Sequence, residues 1–144
     1  MNLKGEFKGL KSLAARLEKF NGALDKAALR ALGVGALRIH ETAVKSIQNK
    51  TGTRKRGRMV SNPGEPPNTQ TGRLVRSIRF TLDATKLSAV VGTNLLYGAY
   101  LEFGAKKINL APRPWLRPAF MKHKAEIVKD LNKEVRRILK GFKG

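Results

Sequence analysis

The sequence predicts an α+β fold in which a small antiparallel sheet is packed by two N-terminal helices and one long C-terminal helix. Three observations predict it. Apolar residues recur at helical steps through the opening and closing parts of the chain. Between them, residues 78–82 alternate apolar and polar side chains, and a polar turn leads to a returning stretch at Leu87–Thr93. The stretches that join these blocks are rich in Gly and Pro, which interrupt regular structure.

Residues 3–20 set Leu3, Phe7, Leu10, Leu13, Leu17 and Phe20 at steps of three or four, which lines one helical face, with Lys4, Lys8, Lys11 and Glu18 on the other. Asn21-Gly22 is a stop signal, because both residues tolerate the left-handed conformation that ends helices. A second helix is expected from Leu24 to Gln48, with Leu24, Ala28, Leu32, Ala36, Ile39, Ala43 and Ile47 on its buried face. Gly33 and Gly35 each cost about 1 kcal/mol against Ala inside a helix. Two readings stay open for them: close approach of another backbone, or a bend that splits the helix.

Residues 49–70 hold Gly52, Gly57, Gly64 and three prolines with no sustained period, and are expected to form a mobile basic loop. Lys50, Arg54, Lys55, Arg56 and Arg58 open it. They fit either a solvated arm or a contact with phosphates or an acidic partner, since clustered cations release counterions from a polyanion. Thr71 is a possible cap for a helical turn reaching Ser77. Ile78, Phe80 and Leu82 then alternate with Arg79 and Thr81 as one strand; Asp83 to Lys86 turn, and Leu87 to Thr93 return. A further short strand is expected after the later prolines or from residues 49–62.

The stretch from Gly92 to Ala119 contains both tyrosines, the single Trp and three of the six prolines. Pro112, Pro114 and Pro118 remove backbone donors and push the preceding residues toward extended geometry, so one regular helix cannot span it. Tyr97, Tyr100, Leu101 and Phe103 fall near helical spacing. Leu101 and Phe103 are expected to plug the gap between sheet and helices. Tyr97 and Tyr100 suit half-buried sites, including subunit contacts. Glu102 is expected either to pair with Arg113 or Arg117 or to face solvent. Trp115, between Pro114 and Leu116, is expected to be buried. From Leu116 onward, Phe120, Ile127, Leu131, Val135, Ile138 and Phe142 mark a long basic amphipathic helix, with Pro118 in its first turn and Lys124 out of pattern.

The 144 residues fit a single domain, 1–144, large enough to bury a core. There is no cysteine, which excludes disulfides and thiolate metal sites. No apolar run is long enough to span a bilayer and the opening residues lack a signal-peptide core, so a soluble protein without export by that route is expected. Net charge is +20. Residues 50–79 contribute +7 and residues 80–115 only +2, so the aromatic stretch is the least charged part. His40 and His123 have no carboxylate at ligand spacing, acidic residues are scarce, and neither Gly52-Thr53-Arg54-Lys55 nor Gly92-Thr93-Asn94 matches a phosphate-binding fingerprint. A non-enzyme without cofactor or metal is expected, with both histidines as surface or interhelix polar groups.

Four motifs stand in order: Pro63-Gly64-Glu65-Pro66-Pro67; Thr71-Gly72-Arg73-Leu74 followed by Ser77-Ile78; Val91-Gly92-Thr93-Asn94 followed by Tyr97, Tyr100 and Glu102-Phe103-Gly104; and Arg113-Pro114-Trp115-Leu116-Arg117-Pro118-Ala119. With these spacings the chain resembles the tail-completion or head–tail joining proteins of long-tailed double-stranded DNA bacteriophages. The resemblance implies a structural subunit of a phage or prophage virion, made in host cytoplasm. It also implies copies assembled into a ring, hexameric in the virion, at the neck or tail end. Its partners would be other head–tail joint or tail-tube proteins and the passing double-stranded DNA, with no membrane. A ring of identical chains needs two different patches to meet. The candidates are Tyr97, Tyr100, Phe103, Pro112, Arg113 and Trp115, with the 49–70 arm. The alternative is a stand-alone, sequence-nonspecific DNA-binding protein, which the charge favours and the lack of a recognisable reading element opposes. A basic structural protein bound to an acidic scaffold or ribosomal RNA is a third reading.

Overall fold

The computed structural model describes residues 10–142. Leu3, Phe7, Lys4 and Lys8 lie outside the described residues. The element order is α1 (Leu10–Gln48), β1 (Thr53–Lys55), β2 (Arg58–Val60), α2 (Arg73–Ser77), β3 (Arg79–Asp83), β4 (Ser88–Gly92), α3 (Leu96–Phe103), a 3-10 turn (Lys106–Ile108) and α4 (Arg117–Phe142). The architecture is α+β, with two small antiparallel sheets and a long helix at each end.

One helix replaces the two expected at the N-terminal end. α1 runs through Asn21-Gly22 without a break. The stop signal fails because the apolar stripe keeps its phase across it: Leu17, Phe20, Leu24 and Ala28 continue at steps of three and four. A single exposed Gly costs only about 1 kcal/mol, less than the packing that continuity preserves.

α4 lies antiparallel along α1. Phe20 meets Phe142 with ring centroids 4.5 Å apart, and Arg38 donates a 2.7 Å hydrogen bond to Asp130. That bond, ahead of the neighbouring Glu126 charge, pushes the Arg38 guanidinium further above its ordinary range. His123 shares a 2.7 Å hydrogen bond with Thr42 across the two helices, and His40 Nε2 lies 3.3 Å from the Ile78 carbonyl oxygen. Both histidines are the interhelix or interelement polar groups that the sequence suggests.

Gly33 and Gly35 do not split α1, and what approaches them is side chains, not another backbone. A Cβ at Gly35 would lie 2.6 Å from Ile127 Cγ1 of α4. A Cβ at Gly33 would lie 3.3 Å from Leu82 Cδ1 of the β3–β4 hairpin, on another side of the helix. The core sits where these layers meet: Ile39, Ala43 and Ile47 of α1, Leu74 and Ile78, Trp115, and Ala119 of α4. Burial of a side chain such as Ile47 or Ile78 stabilises by about 1.5–3 kcal/mol.

β3 and β4 pair from Arg79↔Gly92 to Asp83↔Ser88, as the alternation implies. The Asp83 carboxylate accepts hydrogen bonds from the Thr85 hydroxyl (2.6 Å), the Thr85 amide (2.9 Å) and the Lys86 amide (3.1 Å), which closes the turn. These bonds, the Thr85 hydroxyl first, hold the carboxyl below its usual range. Phe80 and Leu82 face α1 but stay partly open, so this hairpin caps the core margin more than it fills it.

Residues 49–70, expected as a loop, contain a second hairpin. Thr53↔Val60, Arg54↔Met59 and Lys55↔Arg58 pair across a two-residue turn at Arg56-Gly57, where φ is 46° and 77°. Positive φ at both turn residues suits the twist of paired strands. Asn68 fastens the base of the segment, accepting from the Thr51 amide at 3.0 Å and donating to the Thr51 carbonyl at 2.7 Å.

The glycines of α1 give opposite expected outcomes under one substitution. A Cβ at Gly22 would meet no heavy atom within 4 Å, so Gly22→Ala should raise stability by up to about 1 kcal/mol. Gly35→Ala should lower it by about 1–3 kcal/mol through overpacking on Ile127, with partial rescue by Ile127→Val. Urea unfolding measures both; a stabilised Gly35→Ala chain would mean that α1 and α4 do not approach this closely.

Candidate assembly surface

Trp115 anchors the surface from beneath. It is 2% exposed, and its indole N–H donates to the Gly98 carbonyl of α3 at 3.1 Å. Gly98 gives the room for this, because a Cβ there would lie 2.5 Å from Thr93 Cγ2 and 3.1 Å from Leu74 Cδ1 and would force those side chains to shift. The sequence offers Trp115 both as a buried residue and as part of a subunit contact; its burial makes it a core residue that supports the surface without forming it.

Glu102 takes neither role expected of it. Its buried carboxylate accepts three backbone hydrogen bonds, from Trp115 (2.8 Å) and Leu116 (2.9 Å) at Oε2 and from Arg117 (2.8 Å) at Oε1. The first N–H groups of a helix have no partner within it, and its N-terminus carries partial positive charge. A remote carboxylate therefore caps α4, while Pro118 has no N–H to satisfy and Phe120 donates to the Leu116 carbonyl at 2.9 Å. The arginine side chains are not the partners: Arg113 Nε donates to the Ser61 carbonyl at 3.2 Å.

Further backbone bonds join the segment before α4 to α3 and to the arm. The Arg113 amide donates to Leu101 at 2.6 Å, Ala105 and Leu110 exchange a bridge, and the Gly64 amide donates to Pro112 at 2.9 Å. α3 is thereby fixed while its outer side stays open. Phe103 is 78% exposed, Leu96 69% and Ile108 66%, and Tyr97, Tyr100 and Pro112 are also exposed. Arg113 is half-buried. Phe103 does not plug the interior as expected; Leu101, on the opposite side of the helix, packs against the core instead. The sequence pattern does not single out Leu96 or Ile108, although Leu96, Tyr100 and Phe103 stand at i, i+4 and i+7. Between Lys86 and Lys106 the only charged residue is the buried Glu102.

The cations of the arm gather at the β1–β2 hairpin. Lys50, Arg54 and Arg58 line one cleft of about 520 Å³ with Asn68, Thr69 and Gln70. Lys55 stands directly opposite Arg58 in the ladder, and Arg56 occupies the turn. Facing like charges are unfavourable across a strand pair. The hairpin signal is hidden because Arg is uncommon at positive φ; only Gly57 hints at the turn. Among the described residues, no group of three or more His, Asp or Glu side chains is arranged to hold a metal ion, and no helix is long and apolar enough to cross a membrane.

Glu102→Gln should lower stability by about 2–3 kcal/mol, since a neutral amide replaces a charged acceptor and turns a donor toward an amide N–H. Denaturant unfolding measures the loss, and hydrogen exchange should speed up at Trp115, Leu116 and Arg117. Wild-type stability with unchanged exchange would show that the carboxylate does not hold the start of α4.

The family model HK97-gp10_like, described as "Bacteriophage HK97-gp10, putative tail-component", matches residues 11–104. No curated protein and no solved structure gives a significant match. The matched span covers α1, both hairpins, α2 and α3, and so includes the exposed aromatic helix and its buried Glu102. The chain belongs to the HK97-gp10-like family of bacteriophage tail components.

Proposed function

We propose that the chain is a structural, non-catalytic subunit that closes into a ring, hexameric in the virion, at the head–tail joint or tail end of a long-tailed phage. The observation that carries this reading is the exposed aromatic face of α3, a helix whose one charged residue, Glu102, is buried, on a chain of net charge +20. Copies of such a chain repel one another wherever lysines face lysines. Tyr97, Tyr100 and Phe103, with Leu96, Pro112 and Arg113 beside them, offer a place where a neighbour can approach without that repulsion. Exposed aromatics of this kind are enriched at protein contacts. Membership in a tail-component family supports a virion location.

The basic hairpin has a separate role in this reading. The facing Lys55 and Arg58, with Arg54, Arg56 and Lys50 nearby, are relieved by a polyanion: the DNA that passes through the joint, or an acidic face of a neighbouring subunit. Stand-alone DNA binding uses the same residues but leaves the α3 surface without a purpose.

Tyr100→Lys with Phe103→Lys should leave melting nearly unchanged, within about 0.5 kcal/mol, as both side chains are exposed. The wild-type chain should be largely monomeric when dilute and associate at high concentration or on virion partners; the variant should not associate or enter particles. Sedimentation and particle composition read this, and normal incorporation of the variant would refute the α3 contact.

Changing Arg54, Lys55, Arg56 and Arg58 together to Ser should also spare melting. It should weaken duplex DNA binding regardless of sequence and flatten its salt dependence by about 0.9 in slope for each phosphate left without its cation. An unaltered slope with normal assembly would make the hairpin a solvated projection; a large loss of stability would place it in the fold.

A further inference from the structure

α4 carries a second apolar stripe that α1 does not cover. Met121, Ala125, Val128, Asn132, Val135 and Leu139 follow one another at steps of four and three residues. Met121 is 59% exposed and Val128 51%; Ala125, Asn132 and Leu139 are exposed too, and only Val135 is half-buried. At 3.6 residues per turn this stripe lies about 100° around the helix from Ile127, Leu131 and Ile138, which face α1. Regular apolar side chains left in water along most of a helix are a contact surface more than chance exposure.

Beside the stripe runs a ridge of five exposed cations, Lys122, Lys129, Lys133, Arg136 and Lys140, with the exposed Glu126 as the one acid at its spacing, between Lys122 and Lys129. The helix carries further acids: Asp130 and Glu134 meet Arg38 and Arg30 of α1, and Asp130 also borders the trough beside the ridge. Glu126 also lies near Arg38. A trough of about 900 Å³ follows the ridge past Val128 and Asn132. The spacing is that of a helix-pairing seam, and flanking charges in such seams select the partner.

We propose that this face of α4 docks an acidic amphipathic helix of another protein, its apolar stripe against Met121, Val128 and Leu139 and its carboxylates along the ridge. Charge complementarity chooses this occupant. A second copy would set one basic ridge near another, and a lipid surface would have to accept Asn132 in the middle of the apolar stripe. A single Asn in a helix seam, by contrast, is a known means of fixing register at some cost in stability. The face lies outside the span matched by the tail-component family and uses none of the α3 residues assigned to the ring contact, so the inference stands independently of the ring.

The test uses the full chain and a labelled probe peptide with Leu in a heptad stripe and Glu on its flanks, followed by fluorescence anisotropy. A control peptide of identical composition has its stripe scrambled. The expected result is binding of the striped peptide alone, weakened by salt, and weakened more than about tenfold, or 1.4 kcal/mol, by Val128→Lys. That variant keeps the attraction for acids and removes only apolar contact, and its exposed position keeps the fold, which circular dichroism checks. Lys129→Glu with Arg136→Glu should weaken binding separately. Equal binding of the scrambled peptide, or indifference to Val128→Lys, overturns the proposal. So does binding to vesicles of anionic phosphatidylglycerol without binding to the peptide, which would assign the face to a membrane surface. Self-association abolished by Val128→Lys would assign it to a second copy, and likewise overturns it.

Discussion

A single buried carboxylate joins the two parts of this protein. Glu102 sits on α3, and its oxygens hold the amides of Trp115, Leu116 and Arg117 at the start of α4. Burying a charge in a protein is costly unless hydrogen bonds compensate it. Here the compensation comes from groups that would themselves be stranded at a helix N-terminus. The exchange fixes where α4 begins, so it fixes how Ala119 and Ile127 meet α1. It also fixes the outward side of α3, because Leu101 and Gly98 are held inward by the same segment through Arg113 and Trp115.

Such a clamp suits an assembly component. In the proposed ring, a contact through the exposed Leu96, Tyr100 and Phe103 would gain little from a partner if its own backbone had first to be ordered, since ordering costs about 1–2 kcal/mol per residue. Bonds beneath α3 remove much of that cost beforehand, which is the physical meaning of preorganisation. Charge does the complementary work. Net charge of +20 discourages contact between copies across most of the molecule, and the α3 surface is exempt.

Much of this is legible in the residues, and the failures have definite causes. Most of the α4 stripe, the pairing of β3 with β4 and the burial of Trp115 follow from local pattern, and the structure has them, although Phe80, Leu82 and Phe120 stay exposed where the pattern places them inside. The continuity of α1 is legible in principle: the apolar phase passes through Asn21-Gly22 unbroken, and phase outweighs one weak stop signal. Residues 49–62 are one of the two places where the sequence leaves room for a further strand, but its pairing as a hairpin is not legible, because Arg56 occupies a left-handed position that favours Gly or Asn. Glu102 stands out as an isolated carboxylate, but its partners are backbone amides 13–15 residues away, and backbone donors leave no trace in side-chain identity. The exposure of Phe103 is hidden for the opposite reason: a large ring reads as interior unless something outside the chain is expected to cover it.

The central claim is that α3 meets a neighbouring copy in a closed ring. Electron microscopy of virions that contain the chain, at a resolution that traces helices, tests it most directly. The account predicts a ring of density at the neck or tail end in which every α3 lies against the next copy and every β1–β2 hairpin faces DNA or an adjoining acidic surface. A ring in which α3 faces solvent, or a chain placed in the virion without forming a ring, would contradict it.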